Sequence, residues 1–126
     1  MSKALRVVVI SVVLVGGGVA VSSSASAQTA SIWSPDGGAR LTVSAVRNQL
    51  AVARVEDVKC DGRGPTGWVK VGNSVWYPVA VSDGCNREKT QTLSTYANAG
   101  EKVQYYICNA NAKTKSCSST ASFKVP

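Results

Sequence analysis

The chain has 126 residues, with 14 lysines and arginines against 7 acidic residues, no histidine, four cysteines and a formal charge of +7. Without histidine there is no imidazole base, no Ser-His-Asp arrangement and no histidine-ligated metal. The basic residues are scattered singly, as Arg40, Arg47, Arg54, Lys70 and Lys102 show. A nucleic-acid binder more often clusters them among aromatics, so solubility and mild attraction to acidic polymers is the plainer reading.

At the N-terminus, Lys3 and Arg6 precede an apolar run over residues 7–21, and Ala25-Ser26-Ala27 supplies the small residues that signal peptidase accepts. The run holds about 15 residues, short of the roughly 20 needed to span a bilayer. Residues 1–27 therefore read as a cleaved export signal, leaving no membrane anchor in the mature form. The mature chain begins at Gln28 and has 99 residues, enough for one small domain. Loss of Lys3 and Arg6 leaves 12 basic residues against 7 acidic, a charge of +5.

Residues 28–38 hold Ile32, Trp33 and Pro35 and end in the turn sequence Asp36-Gly37-Gly38. They read as an N-terminal arm or short edge strand leading into a domain over residues 39–126. Ile32, Trp33 and Pro35 are candidate partner contacts, with Trp33 folded over the core as the alternative.

Residues 40–46 alternate Leu41, Val43 and Ala45 with polar neighbours, which predicts a half-buried strand. A turn at 47–49 leads to a second strand over 50–58. Asp61-Gly62, Gly64 and Pro65 make 60–66 a loop. Strands over 67–71 and 74–81 follow, joined at Gly72-Asn73. Pro78 removes a ladder donor and predicts a sheet edge or bulge there. The strand over 89–94 is polar and exposed. Residues 102–109 form the organising strand, 111–116 a polar loop and 118–125 the last strand, anchored by Phe123 and Val125. No stretch has a sustained helical period.

Seven short strands in about 100 residues point to an all-β, antiparallel sandwich. Four cysteines in an exported domain this small predict two disulfides. Of three possible connectivities, Cys60–Cys85 with Cys108–Cys117 is preferred, because each joins loops near consecutive strands. Tyr106 stands two residues before Cys108, which resembles the tyrosine corner of immunoglobulin-like sandwiches, and Trp68 begins a middle strand. The inter-sheet bridge of that family would need Cys60–Cys108, and Cys60 lies in a glycine-rich loop instead.

Little catalytic chemistry remains. Asp61 and Asp83 sit beside glycines, where aspartate is an ordinary turn residue, and Asp57 with Asp61 is a weak calcium set. No enzyme activity, cofactor or metal is expected. Binding remains: Trp76 and Tyr77, with Trp33 and Tyr105, are candidates for an aromatic face, and alternation sends Trp76 and Tyr77 to opposite sides.

The run Val55-Glu56-Asp57-Val58-Lys59-Cys60-Asp61-Gly62, with Gly67-Trp68-Val69-Lys70-Val71-Gly72, Cys108 and Cys117, resembles small secreted actinobacterial sandwich proteins. Within that group, the size and N-terminal arm are similar to the adaptor subunit of umbrella toxin particles. The resemblance implies a non-catalytic adaptor in an antibacterial toxin complex. Its partners would be secreted proteins, a lectin-bearing, protease-like subunit and a large repeat scaffold, and not nucleic acid. Two alternatives are a serine-protease inhibitor acting through Lys113-Thr114-Lys115, and a carbohydrate or cell-wall binding module.

Overall fold

The computed structural model describes residues 10–14, 19–23, 26–81 and 85–126. The described residues form strands, turns and loops, with no helix among them. In chain order the strands are β1 (Ile10–Leu14), β2 (Val19–Ser23), β3 (Ala27–Trp33), β4 (Ala39–Val46), β5 (Gln49–Asp57) and β6 (Gly64–Val71). There follow β7 (Tyr77–Ala80), β8 (Glu88–Ala97), β9 (Lys102–Ala110), β10 (Lys115–Cys117) and β11 (Ala121–Lys124). They build two antiparallel sheets, ordered β1-β2-β3-β4-β5-β8 and β10-β9-β6-β7, with β11 also paired to β9. The sandwich expected from the alternating pattern is the observed architecture.

Alternation decides which side chains enter the core. Leu41, Val43 and Ala45 of β4, and Ala51, Ala53 and Val55 of β5, are fully buried. From the other sheet come Val69, Val103, Tyr105, Ile107 and Phe123. The first sheet lines the core largely with alanine, so the bulkier Tyr105 and Phe123 fit opposite, their ring centroids 5.9 Å apart. The sheets approach closely at Gly67 in β6. A Cβ there would lie 2.8 Å from Val55 Cγ2 and 2.9 Å from Leu41 Cδ1, so only glycine fits without repacking.

Both disulfides form as the spacing suggested: Cys60–Cys85 and Cys108–Cys117. Cys108 and Cys117 are direct cross-strand partners on β9 and β10. The immunoglobulin-type bridge between Cys60 and Cys108 is therefore absent. Tyr106 does not act as a corner either, because it points away from the core and stacks on Trp68. Trp68 lies within β6 rather than at its start.

The element boundaries shift for physical reasons. Residues 28–38 do not form a detached arm: all seven residues of β3 pair with β4, from Ala27↔Val46 to Trp33↔Arg40. Ala30 and Ile32 turn into the core, and Ile32 is 5% exposed. β6 starts at Gly64, inside the expected loop, because Pro65 is buried opposite Asn109. The expected strand over 74–81 shrinks to β7 because Gly72, at φ +56°, and a Ser74 Oγ bond from the Val71 N–H hold a turn there. Pro78 does lie on a sheet edge, as its missing donor requires. β10 arises where a polar loop was expected, held by pairing to β9.

Within the expected export signal, β1 pairs with β2, and β2 pairs with β3 through Ala20↔Ser31, Val21↔Ala30, Ser22↔Thr29 and Ser23↔Gln28. Lys3, Arg6 and Ala25 of that signal, and Asp83, lie outside the described residues. Among the described residues, no helix is long and apolar enough to cross a membrane.

Candidate functional site

The sequence-predicted contacts fall into four different environments. Ile32 is in the core, and Pro35 is exposed in the turn after β3. Trp33 is half-buried on the outer face of the first sheet, with the Arg40 guanidinium 5.1 Å from its ring centroid. Tyr77 packs against the core, and its hydroxyl reaches Thr95 Oγ1 at 2.6 Å and Ser94 Oγ at 2.9 Å on β8. Tyr105 is 2% exposed within the core. The aromatic face expected from Trp33, Trp76, Tyr77 and Tyr105 therefore does not assemble.

A different aromatic face does. Trp68 and Tyr106 are cross-strand partners on β6 and β9, with centroids 6.2 Å apart and planes within 14°. Trp76, from the loop before β7, meets the same Tyr106 edge-on at 5.3 Å. The three half-buried rings sit on the outer side of the second sheet. Beside them runs a groove of about 300 Å³ lined by Thr66, Trp68, Tyr106, Lys115 and the Cys108–Cys117 bridge. Sequence reasoning found Trp76 but assigned no site to Trp68 or Tyr106. The signal was the phase of the strand: Val103, Tyr105 and Ile107 point in, so Gln104 and Tyr106 must point out.

The second feature is an edge. With residues 1–27 removed, β3 would border the first sheet. Residues 28–33 of it would remain, with no charged side chain and no proline. The other edges are defended. β8 carries Glu88 and Lys89, and its pairing with β5 shifts register between Leu50 and Val52. β7 is four residues long and contains Pro78, and β10 and β11 have three and four residues.

The carboxylates do structural work. Asp36 accepts hydrogen bonds from Ser34 Oγ at 2.5 Å, the Gly38 N–H at 2.9 Å, Asn109 Nδ2 at 3.0 Å and Arg63 Nη1 at 2.6 Å. Asn109, fully buried on β9, also donates to Asp61 Oδ2 at 3.0 Å. One network thus fastens the β3–β4 turn and the β5–β6 loop to β9. Burial alone would raise the Asp36 pKa, but the four hydrogen bonds outweigh it and bring it down from 3.8 to about 2.

Asp57 is the opposite case. It is 3% exposed, and burial first, then the nearby Asp61 charge, push its carboxyl above the usual range against one bond from the Lys59 N–H. Among the described residues, no three or more His, Cys, Asp or Glu side chains are grouped to hold a metal. The loop at residues 111–115 is a closed turn: Asn111 Oδ1 accepts from the Lys113 and Thr114 N–H groups at 2.8 Å, and Lys115 already belongs to β10.

Two predictions follow from these carboxylates. A lowered folded pKa contributes stability above the unfolded value of 3.8, lost as pH falls toward 2. Asp36→Asn is thus expected to cost about 2 kcal/mol at neutral pH, a deficit that closes on acidification; urea melts along a pH series measure it. For Asp57 the sign reverses: its raised folded pKa favours the fold below 3.8, and this is lost as pH rises past the folded value. Asp57→Asn keeps an acceptor for the Lys59 N–H and should raise the melting temperature at pH 7, with no gain in acid.

No family model, curated protein or solved structure matches this chain.

Proposed function

We propose that the protein is exported, loses residues 1–27, and acts outside the cell as a non-catalytic adaptor whose β3 edge receives a strand from a partner protein. The observation that carries this reading is β2, seated antiparallel on β3 through four residue pairs from Ala20↔Ser31 to Ser23↔Gln28. An edge that takes one strand by backbone hydrogen bonds can take another. Natural sheets guard such edges with charge, proline or brevity, and β3 has none of these. The two disulfides suit an oxidising compartment. A role as connector in a secreted toxin complex, implied by the resemblance to umbrella particle adaptors, agrees with a partner edge on one sheet and an aromatic face on the other.

The test is capture from culture medium by three C-terminally tagged forms: residues 28–126, the unprocessed chain, and residues 28–126 with Thr29→Lys and Ser31→Lys. The first should retain a secreted protein. The unprocessed chain, whose edge is covered, and the lysine variant, whose edge is charged, should not. Recovery of the processed form alone, or equal capture by all three, sinks the proposal.

A further inference from the structure

Charge is distributed unequally between the two outer faces. On the first sheet the arginines meet carboxylates: Arg40 Nη2 lies 2.6 Å from Glu56 Oε1, and Arg54 Nη2 lies 3.2 Å from Glu56 Oε2. On the second sheet the register places Lys70 opposite Gln104, Lys102 opposite Lys124, and Lys115 opposite Ala110, all on the side of Trp68 and Tyr106. None of these four lysines forms an ion pair among the described residues. No acidic residue occupies an outward position of β6, β7, β9, β10 or β11. The face is therefore a cationic field around three aromatic rings and a shallow groove.

We infer that this face binds an anionic polysaccharide, with sugar rings laid against Trp76 and Trp68 and their acidic substituents toward Lys70 and Lys115. Aromatic rings offer flat apolar surface to the C–H faces of a pyranose, and Thr66 and Gln104 supply hydrogen-bonding groups at its rim. The lysines draw in a flexible polyanion over several ångströms and fix little geometry. Nucleic acids are the competing polyanion. Their phosphates and bases are commonly met by the planar arginine fork, and every cation on this face is a lysine. The disulfides also suit a compartment where acidic glycans rather than nucleic acids are met. This site lies on the second sheet and is independent of the β3 edge.

The experiment is affinity electrophoresis of the purified, disulfide-bonded protein through gels holding alginate, dextran or single-stranded DNA. Retardation by alginate, weak response to dextran and a lesser response to DNA are expected. Trp76→Ala should weaken alginate binding about tenfold, the loss of one stacking contact, while leaving the melting temperature in place. Lys70→Gln with Lys115→Gln should also weaken it and flatten its salt dependence. Three results would overturn the inference: no retardation by alginate, retardation unchanged in Trp76→Ala, or tighter binding to DNA. In the second case the protein is attracted by charge alone and the rings take no part.

Discussion

Reducing both disulfides is expected to unfold the domain at physiological temperature. Cys60 and Cys85 are separated by 25 residues, and Cys108 and Cys117 by 9. Restricting the unfolded chain over loops of these sizes contributes about 3.5 kcal/mol for the longer and about 2.6 kcal/mol for the shorter. Together they match the lower range of stability for a small domain, about 5–15 kcal/mol. The two bridges also differ in kind. Cys60–Cys85 ties the loop after β5 to the segment before β8, just beyond the end of the β5–β8 ladder where the Asp57 N–H donates to the Arg87 carbonyl, whereas Cys108 and Cys117 are themselves register partners on β9 and β10. Replacing Cys60 and Cys85 by serine should thus cost more than replacing Cys108 and Cys117. Circular-dichroism melts of the two double variants decide it, and a larger loss from the shorter loop would refute the loop-length account.

Most of the fold was legible because the chain alternates cleanly. Leu41, Val43 and Ala45, then Ala51, Ala53 and Val55, give two core-facing strands from pattern alone. The same rule predicted that Trp76 and Tyr77 would part company, and they do: one joins the outer aromatic face and the other packs on the core. Other features were decided by partners distant in sequence. β6 begins at Gly64-Pro65, residues that read locally as loop, because β9 supplies the pairing. β10 has three residues and too little pattern to be seen without β9 beside it. Asp36, Asp61 and Asn109 meet only because three separate connections converge, so their network leaves no local signature.

The candidate sites were legible in part. Alternating strands and four cysteines pointed to a small disulfide-bonded β domain before any register was known. The aromatic face required register. Nothing in sequence spacing says that Trp68 lies opposite Tyr106, and so the rings chosen were those adjacent in the chain rather than across the sheet. The lysines follow the same logic, since Lys70, Lys102, Lys115 and Lys124 look scattered along the chain and converge on one face when the strands pair. Scattered charge in a β protein is informative only once alternation is applied to it.

Ile32→Ala is expected to destabilise the domain by about 2–5 kcal/mol, and Trp33→Ala by much less. This order reverses what size alone suggests, and it follows from the phase of β3. Ile32 is 5% exposed and points between the sheets, so truncation leaves a cavity that the strands around it cannot close. Trp33 faces outward and is half-buried, with the Arg40 guanidinium 5.1 Å from its ring centroid. A cation–π contact at the protein surface contributes about 0.5–1 kcal/mol. In a domain of this size each kcal/mol moves the melting temperature by roughly 4–8 °C, so the two variants should separate clearly in parallel thermal melts. If Ile32→Ala melts like the parent, β3 is a dispensable arm and its edge cannot be a built binding surface. If Trp33→Ala is the more damaging, the indole caps the core and the strand is out of the stated phase. The expected order, with Ile32 far costlier, makes β3 a fixed member of the sheet, and a fixed edge is what an incoming strand needs.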